Sequence, residues 1–218
     1  MKRPPDNGFS LLEMAIVLAI VGLLLAGLLP ALSGQIAQQR RDETRKQIDE
    51  IKEALTGYAI SNNRLPCPAN ATLASGSSSA GIEDCSLTIG VLPWVTLAVG
   101  ETDAWGRRFT YATSSAYTTA NFTLSSSGTL TVKNAATGGS NIATNLPCVL
   151  ISHGSNGYGA YTPQGIQLSA SNDADEVENA NTNTSFVTHD PTPTFDDLVT
   201  WVSSNILFSR MVNAGKLP

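Results

Sequence analysis

Glu13-Met14-Ala15-Ile16-Val17-Leu18-Ala19-Ile20-Val21-Gly22-Leu23-Leu24-Leu25-Ala26-Gly27-Leu28-Leu29-Pro30 sets one acid ahead of sixteen residues, Met14 to Leu29, without a polar side chain. Nothing comparable recurs in the 218 residues. A helix from Phe9 to Leu32, at roughly 1.5 Å per residue, is long enough to cross a hydrocarbon core of about 30 Å. Lys2 and Arg3 precede it and predict a cytoplasmic amino terminus. A cleaved secretory signal would account for the basic start and the apolar run, with Ala31-Leu32-Ser33 before Gly34 as a small-residue cut site. It leaves Glu13 unexplained, because an unpaired charge in lipid costs roughly 2 to 3 kcal/mol or more.

Composition narrows what lies beyond. Charged residues make up 14% of the chain, against about 25% in typical soluble proteins, so the surface is built largely from Ser, Thr, Asn and Gly. Thirteen Lys and Arg against eighteen Asp and Glu give a net charge of −5, which argues against nucleic acid as a partner held by a broad basic surface. Apolar residues at 42% with so modest a charge argue against intrinsic disorder.

The motif Gly8-Phe9-Ser10-Leu11-Leu12-Glu13, behind a short basic leader and ahead of a long apolar helix, resembles the type IV pilin and type II secretion pseudopilin family. The resemblance implies a pilin-like α+β fold: a long helix, half membrane-spanning and half amphipathic, packed on a small antiparallel β-sheet domain with a carboxyl-terminal helical segment. It implies that prepilin peptidase cuts between Gly8 and Phe9 and that the new terminus at Phe9 is methylated. Glu13 would pair with the terminal amine of a neighbouring subunit, so a subunit entering at the wrong register would leave a charge uncompensated. Other pilin or pseudopilin subunits, an inner-membrane assembly platform and inner-membrane lipid are the further partners implied. The product would be a type IV pilus at the cell surface or a periplasmic pseudopilus of type II secretion. A membrane-tethered or secreted binding module that does not polymerise is the alternative, and size together with an elaborate carboxyl-terminal part favours a minor or specialised subunit.

Working outward, the expected parts are a leader over 1–8, a membrane and polymerisation helix over 9–32, an amphipathic continuation over 33–60 and a globular α+β domain over 61–218. Pro30, with Gly22, Gly27 and Gly34 around it, should bend or loosen the helix, since proline removes a hydrogen bond and crowds the preceding turn. The same position carries a helix-breaking proline in many members of the family resembled. Ile48, Ile51, Leu55 and Tyr58 recur at spacings of three or four and give the second half one apolar stripe, opposite a charged face from Arg40 to Lys46.

Past Ser61 to Pro66 the chain is punctuated by Gly, Pro, Ser and Asn, and short strands are expected at Phe109 to Thr113, Ala120 to Ser125, Thr129 to Lys133 and Val149 to Ser152. Leu73 to Gly81 reads as a mobile loop and Gly154 to Gly159 as a hairpin turn. Trp94 and Trp105 read as core anchors, with Gly106 permitting a tight bend. Three cysteines allow three single pairings; local spacing favours Cys67 with Cys85 and leaves Cys148 as a buried thiol.

No chemistry of catalysis is legible. His153 and His189 lie in no zinc-protease arrangement, and neither a nucleophile elbow nor a phosphate loop occurs, so no enzyme is expected. Asp173, Asp175, Glu176 and Glu178 form the one candidate metal cluster, for calcium, in what otherwise reads as a solvated acidic loop. Thr194 is placed to cap a helix starting near Phe195, with a second helical piece through Ile206 to Val212.

Overall fold

The computed structural model describes residues 10–119 and 121–217, and of residues 25–33 the helical backbone without the side chains. Two units, Met1–Arg40 and Arg41–Pro218, are considered separately.

Helix α1 (Leu11–Asn62) is one unbroken element of 52 residues, and Asn63, with φ at 55°, ends it in the left-handed conformation that asparagine tolerates after a helix. Pro30 lies within this helix rather than at a break; its side chain is outside the described set. In the first unit the described apolar side chains lie bare, with Leu11, Leu18 and Leu23 all at least 70% exposed. Among the described residues no helix is long and apolar enough to cross a membrane, and much of the apolar run, residues 25–29, falls outside the described side chains.

The second unit has three layers. Strands β1 (Ile89–Val91), β2 (Thr110–Thr113), β5 (Cys148–Ser152) and β7 (Leu198–Val202) form an antiparallel sheet in the order β1-β2-β5-β7. Strands β3 (Leu130–Lys133), β4 (Asn141–Leu146) and β6 (Ser185–Val187) form a second sheet, β4-β3-β6, in which β3 and β6 run parallel. Side chains alternate across a strand, so Cys148 and Leu150 join the core under Ile48, Ile51 and Leu55 of α1. Val149 and Ile151 turn the other way onto Val132, Leu146 and Phe186 of the second sheet. All five residues of β5 are buried, which is why this stretch is apolar without alternation.

Four short helices complete the unit: α2 (Trp94–Leu97), α3 (Ser115–Thr118), α4 (Ala174–Ala180) and α5 (Ser204–Asn213). A disulfide joins Cys67 to Cys85, and Cys148 is a buried free thiol whose pKa burial pushes up to about 12.

Several expectations need correction. Residues 121–125 are turn and coil, not strand, because Phe122 is drawn into the main core against Tyr117 and Phe208. The segment from Phe195 does not start a helix: Leu198-Val199-Thr200-Trp201-Val202 is β-branched and aromatic, and pairs residue by residue with β5. Thr194 therefore caps nothing and donates to Asp173, whereas Ser203 caps α5. Trp94 is buried but Trp105 is only half-buried. The Ser-rich segment after Leu73 is tied down, because the buried Arg108 donates to Ala71 O, Leu73 O, Ser75 Oγ and Pro163 O and pairs with Glu101.

Candidate functional site

Two places carry features that packing alone does not require. The first is the start of α1. Ser10 N donates to Glu13 Oε2 at 2.9 Å while Glu13 N donates to Ser10 Oγ at 3.2 Å. This reciprocal pair is a capping box, legible as Ser-x-x-Glu in the sequence and missed there. Glu13 thus sits at the head of a bare apolar helix, hydrogen-bonded to Ser10. Gly8 and Phe9 lie outside the described residues.

The second place lies under the glycine loop after β5. Asp103, at the head of Asp103-Ala104-Trp105-Gly106, accepts from Trp105 N and Arg107 N and takes the Ser152 hydroxyl at 2.6 Å, which fixes this turn against β5. Arg107 then donates to Gly154 O at 2.6 Å and Ser155 O at 3.1 Å. Gly154 to Gly159 is consequently no hairpin turn; it folds over a carboxylate. Ser155 N and Asn156 N donate to Asp196 Oδ2 at 2.8 and 3.1 Å. Gly154, with φ at 56°, passes so close that an added Cβ would meet the Asp196 side chain and main-chain oxygen.

The acidic stretch that read as a loop is α4, capped by Asp173, whose side chain accepts from Asp175 N. The Asp-x-x-Glu pattern of Asp173 and Glu176 is the signal that sequence reading passed over. The helix separates the four expected calcium ligands. Asp173 takes the Thr194 hydroxyl, which lowers its pKa. Asp175 accepts from Ala136 N and lies 3.1 Å from His189 Nε2, and Glu178 accepts from Asn181 and Asn183. Glu176 alone is fully buried, and it meets two acids from the segment after Phe195, where a helix is expected from the sequence, Asp196 and Asp197.

Each of these three side chains keeps one buried oxygen without a hydrogen-bond partner: Glu176 Oε2, Asp196 Oδ1 and Asp197 Oδ1. One oxygen from each lies within 4.8 Å of the others. The remaining oxygens are anchored, Glu176 Oε1 by Asn156 Nδ2 and Asp196 N, and Asp197 Oδ2 by Asn179 Nδ2. His153, also fully buried, sits 2.9 Å from Thr110 Oγ1 and places Nδ1 3.5 Å from Asp197 Oδ1. Carboxylates so close repel unless a positive charge lies among them, and hard carboxylate oxygens are the donor type that a calcium-like ion takes. His189 stacks on Phe195 beside a different acid, so the two histidines do not converge on one cleft.

Comparison with known proteins gives the following. Residues 3–29 match the family model described as prokaryotic N-terminal methylation motif, and residues 31–145 match that described as type II secretion system (T2SS), protein G. Over 66 residues the chain is 33% identical to the type II secretion system core protein G of Klebsiella michiganensis, covering 30% of this chain and 46% of that protein. Over 66 residues it is 32% identical to the protein of the same name from Aeromonas hydrophila, with the same coverage. A fimbrial protein of Neisseria meningitidis is 37% identical over 78 residues, 36% of this chain and 45% of that protein. The chain spans less than half the length of these relatives. No solved structure matches it.

Proposed function

We propose that this chain, which belongs to the family of type II secretion system protein G, is a structural subunit polymerised through its amino-terminal helix into a pseudopilus or a type IV pilus. The carrying observation is the first unit itself: a helix whose described apolar side chains are bare and whose only acid among them is Glu13 at its head. Bare apolar surface of this extent needs lipid or neighbouring helices. On this reading prepilin peptidase cuts after Gly8, Phe9 is methylated, and the segment 9–32 spans the inner membrane once with a cytoplasmic start. An assembly platform then passes the subunit into a periplasmic or surface filament. Intact mass and amino-terminal sequencing of the mature protein from its native membrane test this. A start at methylated Phe9 supports it; a start at Gly34 replaces it with a secreted domain.

The unpartnered oxygens of Glu176, Asp196 and Asp197 favour a second element of the reading, a calcium-like ion held between them. When bound, the ion supplies positive charge that ties α4 to the start of β7. Calorimetric titration of the full chain in detergent with calcium chloride tests it, and no heat of binding at millimolar calcium removes it.

A further inference from the structure

Helix α4 turns two buried polar side chains inward one turn apart, Glu176 and Asn179, both fully shielded from solvent. Asn179 is used completely. Its Oδ1 accepts from Val187 N at 2.7 Å, and its Nδ2 donates to Val187 O at 2.9 Å and to Asp197 Oδ2 at 2.8 Å. The orientation of the amide is dictated by its partners, since Val187 N requires an acceptor and the carboxylate a donor. Clasped at the end of β6, the amide points one fixed N–H at Asp197.

We propose that Asn179 is the positioning residue of the cation centre: by holding Asp197 Oδ2 it fixes the direction of Asp197 Oδ1, the oxygen left without a hydrogen-bond partner in the cluster with Glu176 and Asp196. This rests on the cation reading given above. A carboxylate with one oxygen tied loses the rotation that would carry the other away, so α4 supplies a ligand and, three residues on, the group that orients a second ligand. The chemistry requires an amide. Aspartate would set a negative charge against Asp197 and lose both donors; serine is too short to make all three bonds.

The test compares wild type with Asn179→Asp and Asn179→Ser, as full chains in detergent, by calorimetric titration with calcium chloride and by thermal unfolding in chelator and in calcium. Loss of an orienting partner around a metal typically weakens binding about 10- to 100-fold, and that loss is expected, together with a smaller rise in melting temperature on adding calcium. Unchanged affinity, with melting lowered equally in chelator and calcium, would overturn the proposal and leave Asn179 a structural clasp only. If Asn179→Asp fails to fold, Asn179→Ser decides. No binding by wild type would overturn the cation reading and this inference with it, whereas binding by wild type with unaltered affinity in the variants overturns the inference alone.

Discussion

Arg64 grips Glu83 through two parallel bonds, Nη2 to Oε1 at 2.6 Å and Nη1 to Oε2 at 2.8 Å. Tyr58 of α1 donates to the same carboxylate at 2.8 Å and Cys67 N at 2.9 Å. One side chain thereby ties the end of the long helix to the disulfide-closed loop.

That grip sets an acid dependence. The Arg64 guanidinium, foremost among its partners, holds the Glu83 carboxyl at about 2, below the ordinary 4.5. A depressed folded value contributes stability in full above the unfolded value and loses it as pH falls toward the folded one. Glu83→Gln should cost about 1 to 2 kcal/mol at neutral pH, a hydrogen-bonded charge discounted for partial exposure. The melting-temperature gap from wild type should hold from neutral pH down to the ordinary glutamate range and close as pH approaches about 2. A gap that widens on acidification would contradict the assignment.

Removing the Cys67–Cys85 bridge, closed over a sequence separation of 18, should destabilise the second unit by about 3 kcal/mol in the chain-entropy account. The Cys67→Ser, Cys85→Ser double variant should melt at one temperature with and without reductant, and wild type in reductant should fall to it.

Cys148 should resist alkylation. Its thiol is buried and its pKa pushed up to about 12, so iodoacetamide at mildly alkaline pH should add no mass to the native protein and one adduct after unfolding. A native adduct would show that β5 opens readily.

Gly154→Ala should be damaging beyond ordinary loop changes. A side chain at this positive φ costs about 1 to 3 kcal/mol, and its Cβ would press on Asp196. Lowered thermal stability together with weaker calcium uptake is expected; wild-type values for both would show that the loop gives way freely.

At the helix head, Glu13→Ala should leave membrane insertion intact and sharply reduce recovery in sheared filaments. Equal recovery would remove the register role proposed for this acid.

How far the sequence could be read depended on how local the cause was. The long helix was legible because Met14 to Leu29 is an unbroken apolar run of helical length and the stripe through Ile48, Ile51 and Leu55 sets a helical period, each by itself. β2, β3 and β5 were legible from β-branched and aromatic runs. β7 was misread because Asp196 and Asp197 imitate a helix start, while pairing with β5, some fifty residues earlier, decided the matter. β4, with Asn141, Thr144 and Asn145 exposed, carries almost no apolar pattern and is held by its neighbour β3. The carboxylate centre drew Glu176 from the expected cluster but its other two members from a different segment, a convergence set by the fold.

Arg108 has a consequence for how freely this chain can vary. Three of its acceptors, Ala71 O, Leu73 O and Pro163 O, are main-chain carbonyls, which every residue type presents alike. The grip therefore asks nothing of which side chains stand at 71, 73 and 163, which answer to packing alone, with Ala71 in a small buried cluster beside Trp94, whereas it asks everything of the single arginine.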